Sequence, residues 1–309
     1  MITPRALSTG THPGLQQLER RGYTLVCPTP GRTPGESDLI ANIPGCIGWI
    51  AGVEPVSAAV IDAAERLVAI SRNGTGIDNL PMPAIEARGI VVKRAQGANA
   101  RGVAELALTL MLSAMRNVVQ ADAGIRAGGW PRLIGSEMSS ATVGIVGLGA
   151  IGRELAHMCL ALGAGIICFD PYAPQNLFAL KARVERVGTL DQLVAASGII
   201  SLHAPMPADG QPLLTAELIA KLRPGAIVIN TARAGLVDCD AMLAGLNAGN
   251  ARCYATDVFH REPPGRTALL DHPGTIQTSH IGGFTRESVQ RVLTVTVQNL
   301  LDALEGADA

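Results

Sequence analysis

Short unbroken apolar runs alternate along the chain with segments whose apolar positions recur at three and four. In the first ninety-odd residues the runs Tyr23–Cys27, Ile47–Ala51, Leu67–Ser71 and Ile90–Lys93 predict strands. Leu15–Arg21, Asp38–Ile43, Ser57–Glu65 and Pro83–Arg88 predict the helices between them. Strands apolar on both faces are those of a parallel sheet covered by helices on each side, and strict alternation implies βαβ units with right-handed crossovers. A long helical pattern follows over Ala100–Val119, with Val103, Leu106, Ala107, Leu110 and Met111 on one stripe. Gly128-Gly129 ends that region, and a turn-rich loop runs to Ser140.

A second series then begins. Its predicted strands are Thr142–Val146, Ile166–Phe169, Ile199–Leu202, Ala226–Ile229 and Cys253–Asp257, with a short β-type run at Thr275–Thr278. Its helices are Ile151–Leu162, Leu190–Ala196, Ala216–Lys221 and Cys239–Ala248, and the chain closes on a helical pattern over Arg286–Leu304. The expectation is an α/β protein of two doubly wound parallel-sheet domains. If the last helix packs back on the first series, the first domain is discontinuous: 1–98 with 285–309, around a domain of 99–284.

Composition narrows the function. With 309 residues, 48% of them hydrophobic and 17% charged, there is ample material for two cores. Lys plus Arg is 25 against 26 Asp plus Glu, a net charge of −1; no electrostatic footprint for nucleic acid exists. Mean hydropathy is +0.27, yet the longest uncharged run, 192–208, contains Ser197, Ser201, His203, Pro205 and Pro207. It is too short and polar for a membrane span, and the N-terminus has no apolar signal region. The cysteines Cys27, Cys46, Cys159, Cys168, Cys239 and Cys253 show no Cys-x-x-Cys spacing. They read as reduced, buried thiols in a cytoplasmic protein without a metal site.

The chemistry is concentrated in the second series. The run Val143–Val146 leads into Gly147-Leu148-Gly149-Ala150-Ile151-Gly152 and then a helix. In that strand–turn–helix context Gly147 allows the tight turn, Gly149 lets backbone approach a pyrophosphate, and Gly152 permits close helix packing. The helix start offers free N–H groups and a positive dipole end to the phosphates. Asp170 ends the next strand, 18 residues after Gly152, where a carboxylate accepts from the adenosine ribose hydroxyls. Pro171 and Tyr172 follow it rather than Arg, so a 2′-phosphate meets no cation there and NAD is favoured over NADP.

Three ionisable residues stand out beyond the glycine motif. Arg233 lies just past the strand Ala226–Ile229, where doubly wound sheets bind ligands, and its planar fork suits a carboxylate. Glu262 falls in Asp257-Val258-Phe259-His260-Arg261-Glu262-Pro263, and His280 opens His280-Ile281-Gly282-Gly283. Hydride transfer to a carbonyl needs a proton for the developing alkoxide. A histidine titrates in the right range, and a carboxylate beside it orients the ring.

Together the motifs resemble the D-isomer-specific 2-hydroxyacid dehydrogenases, which include 3-phosphoglycerate dehydrogenases. The resemblance runs from about Ile47 to His280. It is carried by Ser71–Asn79, Val103–Leu106, Val143–Gly152, Leu202–Pro205, Asn230–Asp238, Asp257–Pro263 and His280–Gly283 in family order. It implies a Rossmann-type NAD domain and a flavodoxin-like substrate domain, with the active site in the cleft between them. It further implies that His280 is the acid/base, Glu262 its partner, and Arg233 the anchor of the substrate carboxylate and carbonyl. Backbone N–H groups of Asn73 and Gly74 would hold the far side of the carboxylate. Cofactor contacts would come from Thr75, Gly147, Gly149, Ala150, Ile151, Gly152, Asp170, His203, Ala204, Thr231, Ala232, Asp257, Gly282 and Gly283, with Asp257 on the nicotinamide amide. A homodimer through the cofactor domain is the implied assembly, with Trp130 in a loop that often touches the partner subunit; read alone, a lone Trp is local core.

The chain departs from the family pattern at Gly283, Ala234 and Gln96, none of which removes a reacting group. For the substrate, Ala51-Gly52-Val53-Glu54-Pro55 lacks the Arg that phosphoglycerate dehydrogenases usually carry near this position. A substrate other than 3-phosphoglycerate, a small D-2-hydroxy acid and its 2-oxo acid, is therefore expected. Lys93, Arg94 and Arg101 offer the opposing reading of a phosphorylated, phosphonated or sulfonated three-carbon acid, against solvated surface charge. An NAD(H)-sensing binding protein resembling the co-repressors built on this fold is the reading outside catalysis.

Overall fold

The computed structural model describes residues 1–10, 12–173 and 184–306. The chain divides into two compact units: Met1–Asn99 with Arg286–Ala309, and Ala100–Thr285.

The first unit is built on three parallel strands, β1 (Gly48–Ala51), β2 (Ala69–Arg72) and β3 (Val91–Arg94), in that order. Trp49 pairs with Ile70 and Ile50 with Ser71, so alternate residues face opposite sides. Trp49, Ala51 and Ile70 pack with Leu39 of α2 (Glu36–Asn42), Val60 and Ile61 of α3 (Ala58–Ala63) and Ile85 of α4 (Met82–Ala87). Ile50 and Ala69 face Leu15 and Leu18 of α1 (Pro13–Arg20) and Leu293, Val297, Leu300 and Leu301 of α11 (Arg286–Glu305). The closing helix thus belongs to the same core as the first strands. Tyr23–Cys27 is not a strand. Only Val26 joins the pairing, its carbonyl accepting from the Ile2 N–H at 2.8 Å, and the segment Met1–Thr3 lies beside β1 in its place, with Ile2 bridging Ile50. β3 is an edge strand, and exposed Lys93 and Arg94 charge that edge.

The second unit carries a seven-stranded parallel sheet in the order β10-β9-β8-β7-β4-β5-β6. These are β4 (Thr142–Val146), β5 (Gly165–Phe169), β6 (Val184–Arg186), β7 (Ile199–Leu202), β8 (Ala226–Asn230), β9 (Ala251–Thr256) and β10 (Thr275–Gln277). The strand order reverses between β4 and β7, which makes the carboxyl ends of that pair the ligand crevice of a doubly wound sheet. One face packs on α5 (Ala100–Met115) and α7 (Ala150–Ala161). The other packs on α8 (Leu190–Ala196), α9 (Ala216–Ala220) and α10 (Cys239–Ala248).

The single helix expected over Ala100–Val119 is two. Asn117 adopts a left-handed backbone (φ 54°), and α6 (Val118–Arg126) starts after it. Asn is among the few residues that enter this region readily, its short polar side chain bonding locally; here its amide donates to the Ile134 carbonyl. No single helix among the described residues is long and apolar enough to cross a membrane; α5 and α6 reach that length only as a pair bent by 62°. Their apolar character has another cause: nine α5 residues are buried, six of them in the core shared with the sheet and α7.

Candidate active site

At the β4–α7 turn, Gly147 sits at φ +92°, and a Cβ there would lie 2.7 Å from the His203 carbonyl oxygen. A Cβ on Gly152 would lie 2.1 Å from the Gly147 carbonyl oxygen. Both glycines are therefore fixed by backbone packing. Gly149, which caps α7, is different: nothing stands within 4 Å of where its Cβ would be. That open face above a helix N-terminus is where a phosphate can come against backbone.

Asp170 ends the neighbouring strand and turns inward on the glycine loop. One carboxylate oxygen accepts from the Leu148 N–H at 2.7 Å. The other accepts from the Tyr172 and Ala173 N–H groups at 2.9 and 3.0 Å. A cation does lie nearby, contrary to the reading from sequence. Arg186 donates from Nη2 to the Asp170 carbonyl oxygen at 3.3 Å. It is remote in sequence and arrives on β6, a strand the apolar pattern did not mark, where it pairs with Cys168 of β5.

Beyond β7 and β8, neighbouring strand ends carry two buried polar atoms without a hydrogen-bond partner, His203 Nδ1 and Thr231 Oγ1. The other His203 nitrogen, Nε2, stands 2.8 Å from Ser201 Oγ. Burial pushes the imidazole down to about 4, so the ring is neutral at neutral pH. Orphaned polar atoms at the switch point, beside an open helix start, are the complement of a polar ligand. These residues fit a dinucleotide.

The ionisable trio occupies loops at the same edge of the sheet. Both Glu262 carboxylate oxygens stand 2.8 Å from His280 Nδ1, which leaves Nε2 to face a substrate. His280 itself has φ 56°, a strained value for a residue with a Cβ. Asp257, fully buried at the end of β9, accounts for its persistence. One of its oxygens accepts from Thr278 Oγ1 (2.6 Å) and the Ile281 N–H (2.8 Å), and the other from the Gly282 N–H (2.8 Å). The carboxylate grips the chain on both sides of His280.

Arg233 follows β8 and is oriented by Asn230, whose role the sequence did not disclose. Asn230 Nδ2 donates to the Arg233 carbonyl at 2.8 Å, and its Oδ1 accepts from the Ala232 N–H at 3.1 Å. The available signal was an amide closing an otherwise apolar strand. Arg233 Nη1 donates to the Ala232 carbonyl at 2.7 Å.

In the first unit, the Asn73 N–H donates to the Ala51 carbonyl and the Gly74 N–H to the Arg72 carbonyl, both at 2.8 Å. The Thr75 hydroxyl reaches Ala95 O and Asn99 Oδ1 at 3.5 and 3.4 Å. In the loop after β1 the Gly52 N–H donates to buried Glu54 (2.8 Å) and to Thr3 Oγ1 (3.2 Å). Asn79 Nδ2 donates to the carbonyls of Gly52 and Glu54. What this loop presents outward is Val53, 70% exposed. Arg101, in the second unit, is held by Glu105 at 2.7 Å and Glu154 at 3.2 Å.

A nucleotide-binding doubly wound unit bearing an Arg and a Glu–His pair at its ligand edge is the architecture of a dinucleotide-dependent oxidoreductase. Residues 108–282 match the family model of the D-isomer-specific 2-hydroxyacid dehydrogenase NAD-binding domain. The chain is 37% identical over 254 residues to a hydroxypyruvate reductase of Thermotoga maritima, covering 81% of each. It is 37% identical over 253 residues to a D-3-phosphoglycerate dehydrogenase of Methanocaldococcus jannaschii, covering 81% of this chain and 48% of that one. It spans about half the length of the phosphoglycerate dehydrogenases it matches. A glyoxylate reductase from Paecilomyes thermophila has the same fold, with a TM-score of 0.84, 27% identity and coverage of 94% and 91%. The chain belongs to the D-isomer-specific 2-hydroxyacid dehydrogenase family, and its cofactor is NAD.

Proposed function

We propose that this protein reversibly reduces a small 2-oxo acid to its D-2-hydroxy acid. The observation that carries this reading is His280 Nδ1 held by both Glu262 oxygens at 2.8 Å on the ligand edge of the nucleotide-binding sheet. Bound NADH supplies the hydride that the substrate's C2 receives. His280 donates its Nε2 proton to the carbonyl oxygen as negative charge develops there, and takes it back in the oxidation direction. Glu262 orients the imidazole and offsets the imidazolium charge. Arg233 grips the substrate carboxylate through paired N–H bonds, and the family resemblance adds the Asn73 and Gly74 N–H groups as substrate contacts. Gly147, Gly149, Ala150, Ile151, Gly152 and Asp170 hold the adenosine and phosphates. His203, Ala204, Thr231, Ala232, Asp257, Gly282, Gly283 and Thr75 surround the rest of the cofactor.

The substrate's remaining group is short and uncharged. The β1 loop supports this, since Ala51–Pro55 presents Val53 and contains no cation, and Arg101 is already paired with two carboxylates. Glyoxylate, hydroxypyruvate and pyruvate fit that description. The test follows NADH oxidation at 340 nm with these three, oxaloacetate, phosphohydroxypyruvate and sulfopyruvate. Fastest turnover of a member without a second anionic group is expected. Preference for phosphohydroxypyruvate overturns the substrate reading. No turnover of any member, with NADH still bound, moves the protein to the sensor class.

We also propose a cytoplasmic homodimer. Trp130 and Ile134, 80% and 97% exposed, stand with Val118, Val119, Ile125 and Leu133 on α6 and the loop after it. An apolar patch of this kind calls for a partner surface, and local core, the other reading of Trp130, is overturned by its exposure. The six free cysteines suit a reducing compartment. Sedimentation at micromolar concentration tests the dimer; a monomer refutes it.

A further inference from the structure

We propose that Cys239, His260 and Met206 form a site for one soft monovalent metal ion of the copper(I) class, which on binding clasps two loops of the ligand edge together. Met206 follows β7, Cys239 opens α10 after β8, and His260 follows β9. The three strands are neighbours in the sheet, so their loops emerge side by side. No local spacing in the sequence announces such a site, because each donor comes from a different βα unit.

The geometry is that of two ligands on one ion. Cys239 Sγ stands 3.6 Å from His260 Nε2. Metal–sulfur and metal–nitrogen bonds of about 2.3 and 2.0 Å, meeting at about 110–120°, hold those atoms about 3.5–3.7 Å apart. A linear pair needs about 4.3 Å, so the bent pair leaves room for a third ligand. Met206 supplies it. From the point where a Cβ on Gly235 would stand, Met206 Sδ is 3.0 Å away and His260 Cε1 3.9 Å. Thioether and imidazole thus flank the same glycine, and Cε1 is the ring atom next to Nε2.

The donors select the ion. Thiolate and thioether sulfur favour copper(I). Among the described residues no three His, Cys, Asp or Glu side chains converge as a metal-binding group, so an ion that demands harder ligands finds no set. Cys239 and Met206 are half-buried and His260 is exposed, which leaves a way in. Burial, with the charges of Asp238 and Asp240, pushes the Cys239 thiol up; the same two carboxylates favour a cation at the sulfur. On binding, the thiol gives up its proton, both sulfurs and Nε2 donate lone pairs, and no electron is transferred. Arg233 lies two residues before Gly235, and Glu262 two residues after His260. The ion therefore ties the turn behind Arg233 to the loop that carries Glu262. The effect on turnover rests on the proposed reaction; the binding does not.

The test titrates the whole protein with copper(I) itself, without oxygen, against a chromogenic copper(I) chelator. One equivalent per chain should be retained, with sulfur and nitrogen donors in its X-ray absorption spectrum. Cys239→Ala and His260→Ala should each weaken binding about tenfold or more, and Met206→Leu about threefold. Cys27→Ser, at another half-buried thiol, should bind like wild type. Bound copper(I) should lower 2-oxo acid turnover about fivefold or more with NADH affinity unchanged, and the chelator should restore it; Cys239→Ala should stay active with copper(I) present. An ion that is not retained, or is retained equally by Cys239→Ala and His260→Ala, leaves an S–H···N hydrogen bond only and overturns the site. One equivalent bound with turnover unchanged overturns the clasp. A protein inactive without copper(I) refutes the reaction and the clasp with it, while the titration still decides the site.

Discussion

Gly149 and Gly152 are three residues apart in one motif, yet replacing each by alanine should damage different properties. At Gly152 the added Cβ meets the Gly147 carbonyl oxygen at 2.1 Å, about 0.9 Å inside the 3.0 Å that such contacts need. The obstacle is backbone in the tightest turn of the site, so it does not yield as a flexible side chain would. Overpacking of this kind costs about 1–3 kcal/mol, and the upper end applies here. For a unit spanning Ala100–Thr285, that lowers Tm by about 6–12 °C, at about 2–4 °C per kcal/mol. At Gly149 the Cβ meets no protein atom within 4 Å, and φ is −67°, which alanine adopts freely. Its cost to the fold stays within about 1 kcal/mol, that of a changed helix cap. The methyl instead projects into the space for a pyrophosphate, and NADH affinity falls at least tenfold, about 1.4 kcal/mol. Thermal melts of the apo proteins and NADH titrations of both variants give four numbers. A Gly149→Ala variant that binds NADH like wild type, or a Gly152→Ala variant that melts like wild type, refutes the reasoning.

Loss of the acid/base in His280→Ala should lower kcat by about 10²–10⁴ while NADH still binds; a variant retaining a tenth of wild-type kcat shows that the proton comes from elsewhere. Asn230→Ala removes both bonds that set the Arg233 loop, so KM for the 2-oxo acid should rise about tenfold with NADH affinity nearly unchanged; equal KM values would mean that Arg233 needs no such support. Arg101→Glu should leave KM within about twofold, because Glu105 and Glu154 already occupy the guanidinium; a large rise in KM would restore the second-anion reading. His203 sets a pH dependence of stability. Its folded value of about 4 lies below the ordinary 6.5, so the unfolded chain takes up a proton that the folded chain refuses. The penalty is absent above about pH 6.5, reaches about 2 kcal/mol by pH 5 and is complete at about 3 kcal/mol below pH 4. In His203→Gln the fall in Tm between pH 7.5 and 5 should shrink; an unchanged fall assigns the acid sensitivity to other groups.

Legibility followed the length scale of the interaction. Strands apolar on both faces, such as Ile199–Leu202, were readable because burial in a parallel sheet is written into every residue. The glycine motif was readable because its geometry is local. What escaped depended on partners far along the chain. Tyr23–Cys27 has strand composition, but the segment Met1–Thr3 takes the place beside β1. The break at Asn117 interrupts an apolar stripe that continues through it, so periodicity passed over it. Val184–Arg186 is three residues long and mostly exposed, below what apolar patterning detects, and Arg186 was lost with it. Arg233, Glu262 and His280 were legible as chemistry, with Glu262 as the partner of His280; the Asn230 and Asp257 bonds that set their loops were not, because each joins residues separated by a turn or by a whole βα unit.

Those orienting bonds share a logic. Asp170, Asn230 and Asp257 end or follow β5, β8 and β9, and each gives its polar atoms to loop backbone, either past its own strand or past another strand of the sheet. Asp170 holds Leu148, Tyr172 and Ala173; Asn230 holds Ala232 and Arg233; Asp257 holds Ile281 and Gly282. A loop that must present a ligand-binding group has no ladder of its own to satisfy its N–H groups. A short side chain rooted in a rigid strand end supplies the missing acceptors and transmits the strand's rigidity to the loop. The strained backbone of His280 persists for that reason: releasing it means surrendering three bonds to one buried carboxylate. The same economy explains why the reacting groups are comparatively exposed while the residues that aim them are not. Chemistry requires access to substrate and proton exchange, whereas aim requires a buried acceptor that water cannot replace. A sequence reader seeking such sites should therefore weigh a lone Asp or Asn closing an apolar strand as heavily as the ionisable residue that follows it.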